Sequence, residues 1–191
     1  MPIEELLIDH TRYEGRPSQP RSAGEDSCYD LLERLSIPFF RVDHSPAGTI
    51  ALCHAVEAVL GTDICKNLFL CNRQGTEFYL LLLRGEKPFK TKYLSRQLGV
   101  SRLSFADGAD MERLLGVQPG NATVLGLKND REQAVRLVID RSVLEAERFA
   151  CHPCVNTSTV SFLTADLIGK LLPALGHAPT VVDLPEEEED E

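Results

Sequence analysis

The chain has 191 residues, of which 43% are apolar and 26% charged, with six cysteines and no tryptophan; this balance fits one globular domain and argues against a fibre or a disordered polymer. At this length folding buries roughly two-thirds of the unfolded surface, enough for a core without disulfides or structural metal. Twenty basic residues against 29 acidic give a formal charge of −9, yet Glu186 to Glu191 supplies six of the acids and the rest carries only −3, which argues against the broad basic face of a duplex-coating protein.

In chain order, residues 14–24 (EGRPSQPRSAG) collect Gly, Pro and Ser without an apolar period and read as an exposed connection behind an N-terminal arm. Ser27 is the predicted cap of a first helix, with Leu31, Leu32 and Leu35 as its apolar stripe before Pro38. Phe39 to Val42 suits a short strand. Thr49 is the predicted cap of a second helix, whose Leu52, Val56, Val59 and Leu60 share one face until Gly61. The runs 67–71 and 77–83 are separated by Asn72, Arg73, Gln74 and Gly75, a hairpin signature, and the four leucines of the second run suit a central strand covered on both faces.

Short helices are predicted at 92–98, ended by Gly99, and at 110–115, ended by Gly116, with a short strand at 103–105 between them. Pro119 and Gly120 make a turn before a predicted strand at 124–127. Further strands are expected at 134–139, 148–151 and 181–184, and a long helix capped by Thr164 at 164–175. The elements are mixed but do not repeat as strand–helix–strand units. The domain reading is an N-terminal arm and linker over 1–26, one domain over 27–184 and a solvated acidic tail over 185–191. No stretch approaches about 18 apolar residues and the N-terminus MPIEELLIDH is acidic, so neither a membrane span nor a standard export leader is expected. A cytoplasmic address with reduced cysteines follows as the expectation.

No phosphate-binding Walker loop, dinucleotide glycine fingerprint, HExxH or GxSxG motif is present. Cys151, His152, Pro153 and Cys154 form the most metal-like cluster, but zinc commonly needs four ligands and no second CxxC stands at structural spacing. Buried packing is the simpler role for the cysteines. Lys66, in CKNLFL, can turn inward to hold a phosphate or orient a carbonyl oxygen, although a solvated lysine is the simpler reading there and at Lys128. His152 can hydrogen-bond backbone or move a proton. Asn156, Thr157, Ser158 and Thr159 can fix a loop and its waters. Gly120, Asn121, Ala122 and Thr123 can form either an ordinary turn or a tight binding loop whose exposed amides hold an oxyanion.

Four segments taken in order, DHSPAGT (43–49), KNLFL (66–70), GVQPGNATVLGLKND (116–130) and CHPCVNTST (151–159), resemble the prolyl-tRNA editing family, the YbaK/ProX-like aminoacyl-tRNA deacylases, also found as an insertion domain of bacterial prolyl-tRNA synthetases. CNRQGTEFYLLLL and CHPCVNTS look most like the free-standing PrdX branch, and the resemblance spans roughly residues 27–177. It implies an α/β fold with a mixed, curved sheet surrounded by helices, and hydrolysis of the ester in mischarged tRNA(Pro), chiefly alanyl-tRNA(Pro), with cysteinyl-tRNA(Pro) as the alternative and a non-catalytic tRNA- or synthetase-binding module as the competing class. The implied partners are the 3′ end and acceptor stem of that tRNA, with prolyl-tRNA synthetase as a second candidate; no cofactor and no metal is expected.

Lys66 matches the family's key lysine, Asn67 its polar neighbour, Gly120 the start of its GxxxP loop and His152 the histidine of its HPxxNT segment. The catalytic candidates are therefore Lys66, Gly120 and His152, and the substrate-binding candidates Asn67, Asn121, Ala122, Thr123, Asn156, Thr157 and Ser158. Val124 stands where the family loop has proline. Lys87, Lys90, Lys92 and Arg96 are candidates for phosphate contact, with a solvated helix face as the alternative.

Overall fold

The computed structural model describes residues 8–46 and 48–187; the first part of the predicted arm, Ala47 and the end of the acidic tail lie outside the described residues. Two sheets carry the fold. One is antiparallel, ordered β1 (Tyr13–Glu14), β2 (Phe40–Asp43), β8 (Ser158–Leu163) and β7 (Arg148–Cys151). The other is mixed, ordered β5 (Ser104–Phe105), β3 (Cys65–Cys71), β4 (Phe78–Arg84), β6 (Val135–Asp140) and β9 (Thr180–Val182). β3 and β4 form the antiparallel hairpin, whereas β4–β6 and β6–β9 are parallel. Helices α1 (Ala23–Arg34), α2 (Ile50–Leu60), α3 (Thr91–Leu98), α4 (Gly108–Leu115) and α5 (Arg141–Glu145) accompany them. The expected mixed sheet surrounded by helices is the architecture observed.

β4 explains the leucine run. Its alternate residues Phe78, Leu80 and Leu82 enter the main core with α1 and β6, while Tyr79, Leu81 and Leu83 enter a second core beside α3. Both faces are covered, so no polar alternation survives in the sequence. Each of these buried side chains contributes roughly 1.5–3 kcal/mol by leaving water. A third cluster, with Val42, Leu52, Val56, Leu60, Ile64 and Ala150, seats α2 against β2 and β7.

The second helix is capped as predicted: Thr49 Oγ1 accepts from the Leu52 amide at 3.2 Å, and Gly61 closes it at φ +68°. The first is not. Its cap is Ser22, whose Oγ accepts from the Glu25 amide, and Ser27 lies inside the helix, donating its hydroxyl to the Gly24 carbonyl at 2.8 Å. Glu25 and Asp26 in the first turn favour the earlier start. The exposed connection is correspondingly shorter, since β1 pairs with β2 at its beginning and α1 takes its end.

The predicted strand at 124–127 is instead a 3-10 helix, Val124–Asn129. Its run Val124 to Leu127 is wholly buried, and Gly126 sits so close to α4 that a Cβ there would lie 3.0 Å from the Leu115 carbonyl oxygen; an apolar run covered all round has no period by which to tell strand from helix. Over 164–175 the chain is helical as expected, but as α6 (Thr164–Asp166), a π-helical turn (Leu167–Leu171) and α7 (Leu172–Leu175). Thr164 is the first helical residue rather than the cap, and its Oγ1 is buried without a partner.

The end of β6 is fixed electrostatically. Asp140 is fully buried and accepts from Lys87 Nζ at 3.0 Å, from the Ser142 amide at 3.1 Å and from the Leu184 amide at 2.8 Å. Lys87 is itself only 6% exposed and also pairs with Glu186 at 3.0 Å. Lys87 is therefore committed to an ion pair, which corrects its reading as a phosphate contact. Glu186, from the tail segment, is the exposed member of that trio.

Candidate active site

β3 is the meeting point. Its first residue's neighbour, Ile64, forms a parallel bridge with Ala150 of β7, so the two sheets touch there, and two residues further along each chain stand Lys66 and His152. Asn67 ties the same strand to the turn after Pro119: its Oδ1 accepts from the Val124 amide at 2.8 Å while its Nδ2 donates to the Cys65 carbonyl at 3.1 Å. Thr123, fully buried, accepts from the Leu125 amide at 3.3 Å and lies beside the Cys151 thiol. Three segments distant in sequence are thus joined by side-chain contacts.

Lys66 is half-buried and donates from Nζ to the Lys87 carbonyl at 2.8 Å, leaving two ammonium protons for other acceptors. Burial lowers its pKa from the usual lysine value. Gly120 is exposed at φ +90°, a conformation that side chains disfavour, with open space where a Cβ would stand. The Asn121 amide donates to the Gln118 carbonyl at 3.0 Å, and its side-chain Oδ1 is buried without a hydrogen-bond partner. Ala122 packs against the main core.

The Val124 departure has a physical reading. Thr123 is extended (φ −157°, ψ 147°) and Val124 is the first helical residue, a backbone that proline accepts. Here the turn is held by an amide hydrogen bond to Asn67, which proline cannot donate. Val124→Pro should therefore fold with stability changed by no more than about 1 kcal/mol, the lost bond being offset by a stiffer unfolded chain. Asn67→Ala, with no such offset and a buried amide left unpaired, should lose about 1–2 kcal/mol. Urea unfolding of the two variants beside the parent checks the ordering.

His152 opens the connection 152–157 between β7 and β8. Its Nδ1 donates to the Ser158 carbonyl at 3.0 Å, and Thr159 Oγ1 lies 3.3 Å away. Asn156 and Thr157 are half-buried in that connection, and the Thr157 carbonyl accepts from the His44 amide at 3.0 Å. Ser158 and Thr159 belong to β8 rather than to the loop expected from their short polar side chains. Ser158 Oγ donates to Asp43 Oδ1 at 2.6 Å; Asp43 also receives Arg21 at 2.8 Å and Arg41. Burial alone would raise the Asp43 pKa, but the hydrogen bonds from Arg41, Ser158 and Arg21 outweigh it and hold the carboxyl below its ordinary value.

His44, from the DHSPAGT segment, is a neighbour that the candidate set lacks. Its ring centroid is 5.9 Å from that of His152, and Thr159 Oγ1 lies 2.9 Å from its Nε2. His44 Nδ1 donates to the Ser45 carbonyl at 2.8 Å, so its Nε2 is the acceptor and takes the Thr159 hydroxyl proton. The Ser158 carbonyl likewise fixes the His152 tautomer, leaving His152 Nε2 as a base. Burial is the main cause holding both imidazoles below the usual 6.5, and for His152 the proximity of His44 adds to it.

Two neutral histidines side by side carry a pH signature. In the unfolded chain they protonate near about 6.5, so below that pH the unfolded state binds more protons than the folded one. Their contribution to stability is full above that pH and is lost as pH falls through it. Urea midpoints should drop between about pH 7 and pH 5.5, and the drop should shrink in a His44→Asn/His152→Asn variant.

Surface grooves of about 440 and 670 Å3 lie on other faces, around Pro38 and Arg148 and around Leu144 and Ile168, and neither includes Lys66, Gly120 or His152. Among the described residues no group of three or more His, Cys, Asp or Glu side chains is placed to hold a metal, and no helix is long and apolar enough to cross a membrane.

The fold defines an α/β domain in which the strand carrying Lys66 and Asn67 bridges the strand that leads into His152, and Asn67 holds the turn after Pro119. A family model for the aminoacyl-tRNA editing domain matches residues 44–169, and the chain belongs to that family. It is 28% identical over 153 residues to the prolyl-tRNA editing protein ProX of Acetoanaerobium sticklandii, covering 80% of this chain and 93% of that protein. It is 32% identical over 169 residues to the prolyl-tRNA synthetase associated domain-containing protein 1 of Mus musculus, covering 84% and 98%. The fold is similar to the crystal structure of a candidate trans-editing enzyme for prolyl tRNA synthetase, with a TM-score of 0.64 at 18% identity over 88% of this chain and all of that one.

Proposed function

We propose that this chain is a free-standing, PrdX-like editor in the cytoplasm that hydrolyses the ester of mischarged tRNA(Pro), with alanyl-tRNA(Pro) as its main substrate. The observation that supports the reading is the joining of the three segments at β3, through the Asn67–Val124 hydrogen bond and the Ile64–Ala150 bridge two residues before Lys66 and His152.

In this reading the aminoacyl carbonyl sits between Lys66 and the turn. Water adds to the carbonyl carbon, the ester C–O bond breaks, and the products are the free amino acid and the tRNA 3′ end. The Asn121 and Val124 amides are already committed, so the amides of Gly120 and Ala122 are assigned to the developing oxyanion beside the Lys66 ammonium. His152 Nε2, neutral at pH 7, holds the attacking water with help from the terminal ribose hydroxyl. The unpartnered Asn121 Oδ1 is assigned to the substrate ammonium, since a buried acceptor calls for a donor. Thr157 and Ser158 shape the connection that carries His152. The near-neutral body suits recognition of a single-stranded 3′ end rather than of a duplex.

Deacylation of alanyl-, cysteinyl- and prolyl-tRNA(Pro) by the same preparation tests the reading. Fastest cleavage of the alanyl ester supports it. Preference for the cysteinyl ester shifts the substrate, a change that a small apolar pocket resists by only about 1–3 kcal/mol. Tight tRNA binding without turnover on any of the three replaces the enzyme with a binding module.

A further inference from the structure

Beside the candidate site lies a second cluster. Cys28 of α1 and Cys154 of the connection 152–157 stand with sulfurs 3.4 Å apart, and Lys128, at the end of the 3-10 helix, places Nζ 3.2 Å from Cys154 Sγ and 3.6 Å from Cys28 Sγ. All six cysteines are free thiols. The lysine expected to be solvated is instead half-buried against sulfur. Cys154 keeps 7% of its surface open whereas Cys28 has none, and Cys154 adopts φ +61°, unusual for a residue with a side chain.

We propose that Cys28, Cys154 and Lys128 form a peroxide-reactive dithiol site, with Cys154 as the attacking sulfur and Cys28 as the resolving one. The Cys154 thiol gives its proton to solvent; the thiolate attacks one oxygen of hydrogen peroxide, the S–O bond forms, the O–O bond breaks, and the departing hydroxide takes a proton from the Lys128 ammonium to leave as water, after which Lys128 regains a proton from solvent. Cys28 then attacks the Cys154 sulfur; the S–S bond forms, the S–O bond breaks, and the hydroxyl leaves with the Cys28 proton as a second water. Two thiols and one peroxide give one disulfide and two waters, two electrons passing from sulfur to oxygen. The sulfurs need to close from 3.4 Å to about 2.0 Å.

The electrostatics favour this order of events. The hydrogen bond from Cys28, together with the Lys128 charge, overcomes burial and brings the Cys154 thiol down to about 7, while Cys28 is pushed up by that same bond and by burial. Burial alone would lower Lys128, but the two sulfurs raise it, so it stays an ammonium able to supply the proton. The other thiols lack this help: burial pushes Cys65 up to about 12 and also raises Cys53 and Cys151. At neutral pH the thiolate reacts and the thiol does not. Exposure alone would give the opposite order, because Cys53, Cys65 and Cys71 are all more open than Cys154.

The chemistry is independent of ester hydrolysis and is read without it. The full chain, reduced and freed of reductant, is treated with hydrogen peroxide at about pH 7, quenched at intervals by isotope-coded alkylation, and analysed by peptide mass spectrometry. The expected result is joint loss of alkylation at Cys28 and Cys154, at least about tenfold faster than at Cys53 or Cys71. A peptide linking the two should appear and be reversed by dithiothreitol. Cys28→Ser should leave a Cys154 sulfenic acid that dimedone traps, and Lys128→Met should slow Cys154 by about tenfold. Oxidation of Cys154 no faster than that of Cys71 in the unmutated protein, or no linked peptide, overturns the proposal.

Discussion

Replacing Lys66 with alanine is expected to slow single-turnover deacylation of alanyl-tRNA(Pro) by about a hundredfold or more while tRNA affinity changes by less than about threefold. The asymmetry follows from placement. Lys66 is half-buried on β3 and oriented by the Lys87 carbonyl, so in the proposed reaction its charge is held in position before substrate arrives and would stabilise the oxyanion without reorganising. One cation among the many contacts of a nucleic acid contributes little to binding. Lys66→Arg should not restore the rate, because a planar guanidinium cannot take the place of a compact ammonium 2.8 Å from that carbonyl. Unchanged cleavage by the alanine variant, measured by rapid quench, removes Lys66 from the reaction.

The largest effect on stability is expected at Asp140→Ala, about 3 kcal/mol, seen as a fall in the urea midpoint with the slope unchanged. The carboxylate is fully buried and receives Lys87 and the amides of Ser142 and Leu184. Burial alone would raise its pKa, but hydrogen bonds from Ser142, Leu184 and Lys87 keep it ionised below the usual range. Its removal strands a buried ammonium and three donors, the Ser142 and Leu184 amides and the Ser142 hydroxyl, a loss at the lower end for broken buried pairs because Glu186 can still meet Lys87 from the surface. Asp140→Asn keeps the shape and should lose less. The Lys87 carbonyl is also the acceptor for Lys66, so the alanine variant should lose deacylation beyond what its unfolded fraction accounts for. A loss below about 1 kcal/mol would mean that the pair contributes little.

Where local chemistry decides, the sequence was readable. Thr49 and Gly61 bracket α2, Asn72 to Gly75 turn the β3–β4 hairpin, and Gly99 and Gly116 end their helices in the left-handed conformation. β8 was not readable, because the inward positions of a strand usually betray themselves as apolar, whereas Ser158, Thr159 and Ser161 are buried polar residues. They are polar because they serve Asp43, His44 and Arg148. The helix α5 is too short to show a period and begins at an aspartate that ends a strand.

The same blindness to distant partners governs the site. Lys87 and Lys128 look solvated from their neighbours in sequence, yet one meets an aspartate 53 residues away and the other a cysteine 100 residues away. Asn67 meets the Val124 amide and His152 meets Thr159, whereas His44 is not legible as their neighbour because nothing in DHSPAGT reveals that Thr159 will stand against it.

The 115-residue separation between His44 and Thr159 also bears on how the protein matures in the cell. β2 finds its central neighbour only in β8, so during translation the strand emerges early and waits until residues near 163 have cleared the ribosome tunnel. Such late, long-range pairing slows the final assembly. Nascent chains arrested before β8 should hold the β3–β4 hairpin but not the paired histidines, which form only after β8 has been made.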